Sequence, residues 1–159
     1  MCELLGMLIP AQEECLVLAY HAIASITRRI QAGLSGAMEA IRILHQQGYP
    51  LHLASGSCSL ELAGYLDGLG VRHCFGRLYG ADLINTFKEG PEYYRRLFAD
   101  VGVQPAEALV VDDSPHAINW AAQTGAKTVL VMTASSPNRG GLARIASLAQ
   151  LPAFLQQRH

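Results

Sequence analysis

No apolar run in the 159-residue sequence approaches the roughly 18–20 residues that a membrane-spanning helix needs. Charge is sparse as well. Asp, Glu, Lys and Arg make up 16% of the chain, the net charge is −1, and no basic block occurs, so neither nucleic acid nor membrane is an expected partner. The four cysteines, Cys2, Cys15, Cys58 and Cys74, form no Cys-x-x-Cys pair, no zinc spacing and no Cys-x5-Arg phosphate loop. Free thiols in a reduced, cytoplasmic protein are the simplest expectation. The start, Met-Cys-Glu, has no basic region ahead of an apolar one, which predicts no signal peptide. Of the aspartates Asp67, Asp82, Asp100, Asp112 and Asp113, no two are spaced Asp-x-Asp.

What is present is a chain with half its residues apolar, long enough for one buried core. That profile suits an α/β protein whose parallel strands are covered on both faces. Leu16, Ala19, Ile23, Ile26 and Ile30 recur at helical spacing and predict a helix over 11–31 with those residues inward. A second helix is expected over 36–47, with Met38, Ile41 and Leu44 inward and Gly48 as its stop. Leu51–Ser55 reads as a strand, followed by a helix that Ser57 or Ser59 caps. A short strand is expected around 75–80, and Pro91 opens a helix to about 101. Ala108–Asp112 is a strand of buried type. Ser114-Pro115 supplies N-cap and first turn for a helix that stops at Gly125. Lys127–Met132 is a further strand, and a last helix is expected from about Leu142. Strands alternating with helices predict a doubly wound, mostly parallel, Rossmann-like sheet flanked by helices.

In such sheets ligands sit beyond the carboxyl ends of the strands, and three polar features gather there. The Ser55 hydroxyl and the turn amides from Gly56 suit a phosphate oxygen at a helix start. Lys88, just ahead of a helix, offers a point charge to the same phosphate. Asp112 and Asp113 end a strand in a largely apolar setting, where paired carboxylates are costly unless a cation neutralises them. Oxygen donors of this kind favour Mg²⁺. His116, Cys58, Tyr93, Tyr94 and Trp120 are read as exposed, structural or packing residues.

The order carries a resemblance. Lys88 follows Ser55 by 33 residues, and Asp112 follows Lys88 by 24, inside Val-Val-Asp-Asp-Ser-Pro-x-Ala-Ile-x-x-Ala-Ala-x-x-Gly-Ala. From about Leu34 to Met132 this resembles motifs two, three and four of the haloacid dehalogenase superfamily. Response-regulator receivers use similar residues in the opposite order. The resemblance implies that Ser55 binds the transferred phosphoryl group, that Lys88 stabilises its charge, and that Asp112 and Asp113 ligate or orient Mg²⁺. It also implies that residues 1–33 are a helical cap remnant and 34–159 an α/β core.

The family's first motif, Asp-x-Asp, carries the nucleophile and the acid/base, and it has no counterpart here. Loss of a nucleophile costs about 10⁴–10⁶ in turnover in other hydrolases. The expected function is therefore a reduced phosphoester hydrolase, weak and broad towards small phosphorylated substrates. In it, metal on Asp112 and Asp113 activates water, or one of the two attacks directly. The alternative is a non-catalytic relic used for binding or assembly, or a truncated gene product. The strand that bears the first motif is expected to be replaced by direct pairing of its neighbours, by residues 4–9 or by a second chain. An uncovered cap helix favours a homodimer.

Overall fold

The computed structural model describes residues 12–30, 33–132 and 143–157. Its elements run α1 (Gln12–Thr27), α2 (Ala37–Gln46), β1 (Leu51–Ala54), α3 (Ser59–Gly68), β2 (Phe75–Tyr79), α4 (Ala81–Ile84) and α5 (Pro91–Val101), then β3 (Leu109–Asp112), α6 (Pro115–Ala122), β4 (Lys127–Val131), β5 (Ala143–Ile145) and α7 (Leu151–Gln156). Every strand pairing among the described residues is parallel, as βαβ crossovers require.

The strands form two short sheets, β1-β2 and β3-β4-β5. Among the described residues β1 and β3 are not hydrogen-bonded to each other, so the expected direct re-pairing is not found; residues 4–9 lie outside the described residues. The two sheets nevertheless share one interior. On one face Ala54 of β1 and Val110 of β3 pack on a cluster that includes Tyr93, Tyr94 and Phe98. On the other, Leu51 of β1 meets Leu109 and Val111 of β3 around Leu44 and Val129. Strands that flank one omitted strand lie about 9.6 Å apart, too far for backbone hydrogen bonds, while side chains still meet above and below the opening.

Helix α1 docks differently from expectation. Leu16, Ile26 and Ile30 are exposed, and the buried contact is made by Thr27, whose hydroxyl donates to Ile23 O at 2.8 Å. The reason lies in α3. A Cβ on Gly64 would collide with the Thr27 hydroxyl, and one on Gly68 with the Arg28 carbonyl. Two glycines one turn apart therefore make the groove that α1 enters. Helix α1 is apolar nearly all round, so periodicity had no means of choosing its face.

At the C-terminal end, Ala143–Ile145 forms a strand on the open edge of β4, Val129 to Val131, where a helix was expected. Helix α7 begins only at Leu151. Helical composition yielded to edge pairing, as short segments commonly do.

Candidate functional site

The carboxyl ends of β1 and β3 are joined by one side chain. Lys88 Nζ donates to Ala54 O at 3.1 Å and to Asp112 Oδ2 at 2.6 Å, so the ammonium spans the opening between the sheets. Both side chains are largely withdrawn from water, 15% and 12% exposed. The other Asp112 oxygen, Oδ1, accepts from the Ser114 amide at 2.8 Å. Ser114 then caps α6 through Ala117 N, as its Ser-Pro signature predicts.

Ser55 continues β1 without belonging to it. Its amide donates to Tyr79 O at 2.9 Å, and its hydroxyl oxygen accepts from Ser57 N at 3.2 Å. This short serine turn leaves the hydroxyl proton free for a ligand oxygen. A Cβ on Gly56 would meet nothing within 4 Å, so open space lies beside the turn. Structure thus brings together Ser55, Gly56, Lys88 and Asp112 at one rim. Asp113 adjoins Asp112 but is exposed. His116 is exposed too, with its ring 6.1 Å from that of Trp120.

Three contributors escaped sequence reading. Tyr93 is fully buried, and its hydroxyl donates to Tyr79 O at 2.5 Å and lies 3.3 Å from Ser55 O. Burial pushes the Tyr93 phenol up to about 12 against the pull of Ser55's backbone, with Asp112's negative charge adding to the rise. It stays protonated and holds both strand ends. Asp82 accepts from the Ser59 amide at 2.9 Å and from its hydroxyl at 2.5 Å. It does the capping at the start of α3 that Ser57 or Ser59 was expected to do; the N-cap position itself is Cys58, without a side-chain bond. Gly80 permits this closeness, because a Cβ there would strike Asp82, Ser57 O and Ser59 N. A glycine followed two residues later by an aspartate, straight after a strand, was the available signal.

Tyr93 and Tyr94 make a controlled pair. The Tyr94 hydroxyl is buried with no hydrogen-bond partner. An unmade buried bond costs roughly 1–3 kcal/mol, and an apolar replacement of the same shape recovers it. Tyr93→Phe is expected to lower stability by about 1–2 kcal/mol and Tyr94→Phe to leave it equal or higher. Paired urea melts check this; the reverse order would contradict the assignment.

Among the described residues the donor set does not fit a resident Mg²⁺. Among the described residues no three His, Cys, Asp or Glu side chains converge. The better-placed carboxylate, Asp112, already faces an ammonium at 2.6 Å. Among the described residues, a divalent ion there would sit against a fixed positive charge, with the exposed Asp113 as the adjoining carboxylate.

Comparison with known proteins bears on the family and the fold. The haloacid dehalogenase-like hydrolase family model matches residues 10–125. The chain is 30% identical over 80 residues to the fructose-1-phosphate phosphatase YqaB of Escherichia coli, covering 50% of this chain and 43% of that protein. It is 28% identical over 109 residues to the validoxylamine A 7'-phosphate phosphatase of Streptomyces hygroscopicus, covering 69% and 50%. The chain thus spans half or less of the length of these curated relatives. In fold it is similar to the L-2-haloacid dehalogenase of Xanthobacter autotrophicus, with a TM-score of 0.72 and 17% identity over 99% of this chain and 71% of that one. No helix among the described residues is long and apolar enough to cross a membrane. With the Ser, Lys and Asp-Asp motifs in family order on a parallel α/β core, the chain belongs to the haloacid dehalogenase-like hydrolase family.

Proposed function

We propose that the chain recognises the phosphate group of a small phosphorylated substrate at the shared rim of β1 and β3 and hydrolyses such esters slowly, with little selectivity. The observation that carries this reading is the Lys88 ammonium resting on Ala54 O and Asp112, one residue along β1 from the Ser55 turn. An ammonium has three protons. Two are engaged here, and the third, with the Ser55 hydroxyl proton and the Gly56 amide, is available to phosphate oxygens. Contacts to phosphate alone carry no information about the rest of the ester, hence the low selectivity.

Turnover is slow because the Asp-x-Asp that carries the family's nucleophile has no counterpart in the sequence. Asp112 is held by Lys88 and the Ser114 amide. Asp113 is the exposed carboxylate left to take a proton from attacking water. Relative to a family member with its nucleophile, the expected deficit is about 10⁴–10⁶ in kcat. The engagement of Asp112 also favours a second reading, a phosphate-binding module without turnover. Hydrolysis of an activated aryl phosphate by wild type, Asp113→Asn and the Asp112→Asn, Asp113→Asn double variant separates the two. The hydrolase reading requires loss of rate in both variants, whereas equal rates in all three leave the binding module.

A further inference from the structure

We propose that Lys88 is the built-in cation of this site, so that phosphate binding is independent of Mg²⁺ and Mg²⁺ is kept out until Lys88 is removed. The inference rests on the phosphate-binding reading above and deepens it. Its basis is local. A carboxylate pair at a strand end calls for a neutralising cation, and here the neighbour of Asp112 Oδ2 is an ammonium at 2.6 Å. Ala54 O fixes that ammonium from the other strand at 3.1 Å, so it is tethered at two points rather than resting on a mobile arm. A metal approaching Asp112 would meet the ammonium's full repulsion in a poorly solvated setting.

The remaining polar groups agree. The Ser114 amide neutralises Oδ1 further, and the Tyr93 phenol, held protonated by burial, adds no negative charge. Among the described residues Asp113 is the carboxylate adjoining Asp112, and it is exposed, whereas Mg²⁺ keeps several of its waters and is held through one or two carboxylates with substrate phosphate, so access to Asp112 decides whether it stays. Phosphate, by contrast, gains from the same ammonium that repels the metal. Selectivity between anion and cation is therefore set by one side chain.

Isothermal titration of inorganic phosphate into wild type, in EDTA and in excess MgCl₂, is the first arm. Equal affinities within about twofold are expected, and a tenfold or larger gain with Mg²⁺ would overturn the proposal. Titration of Mg²⁺ alone, with Mn²⁺ paramagnetic resonance as a parallel probe, is the second. Lys88→Met is expected to gain divalent-ion affinity by about tenfold or more over wild type, and the Lys88→Met, Asp112→Asn variant to lose that gain. No gain in a folded Lys88→Met protein overturns the proposal; should that variant fail to fold, the wild-type arm decides alone. Absence of phosphate binding under every condition would instead defeat the phosphate-binding reading, and the two failures are distinct.

Discussion

Lys88→Met is expected to lower the unfolding free energy by about 3 kcal/mol, because it leaves the Asp112 carboxylate withdrawn from water without its partner. The opposing view, that one lysine at a sheet rim contributes like a surface ion pair of about 0–1 kcal/mol, fails on burial. The side chains are 15% and 12% exposed and the contact is 2.6 Å. Arg28–Asp67, at 3.4 Å with side chains 63% and 39% exposed, is the pair to which the surface value applies. For a chain of this size the loss corresponds to a fall in Tm of about 6–12 °C. Lys88→Met combined with Asp112→Leu is expected to recover much of it, since removing both charges removes the uncompensated one. Thermal and urea melts of the two variants test the pair, and a single-variant loss below about 1 kcal/mol would place it in the surface class.

Gly80→Ala is expected to cost about 2–3 kcal/mol, the upper part of the range for overpacking. Backbone conformation is not the reason, since Gly80 has φ −89° and ψ 173°, which alanine adopts freely. Space is. The added Cβ would lie 2.5 Å from Ser57 O and 2.6 Å from Ser59 N, and closer still to the Asp82 carboxylate. Two of these atoms are backbone and cannot rotate away. Relief requires the start of α3 to retreat, which loosens both the Asp82 cap and the Ser55–Ser57 turn. Phosphate affinity should therefore fall together with stability. Asp82→Asn removes the carboxylate without adding bulk and is expected to cost only about 1 kcal/mol, as for loss of a cap. A Gly80→Ala protein with wild-type stability and affinity would show that this packing does not support the rim.

Much of the architecture was legible in the sequence because its signals are local. Ser114-Pro115 marks a helix start, Gly48 has the positive φ of a helix stop, and the Leu-Val-Val run before Asp112 reads as a covered parallel strand. The rim residues were legible for a different reason, since Ser55 follows one strand, Asp112 ends another and Lys88 lies just ahead of a helix, all at the carboxyl side that the pattern predicts. Non-local choices were not legible. The face of α1 that docks is decided by two glycines of α3, and β5 exists because β4 offers an edge. Asp82 reaches a helix that begins 23 residues earlier, a relation that no window of sequence contains. The break between β1 and β3 involves a strand with no counterpart among the described residues, and Lys88 reaches across it.

Amide chemical-shift mapping with inorganic phosphate tests the central claim most directly, because it reports position as well as binding. Saturable shifts concentrated at Ser55, Gly56, Ser57, Lys88 and Asp112 to Ser114, absent in Lys88→Met, are the expected result. Shifts centred on the depression lined by His45, His52 and His73 at the amino end of β1, with the Ser55 and Lys88 amides unmoved, would contradict it.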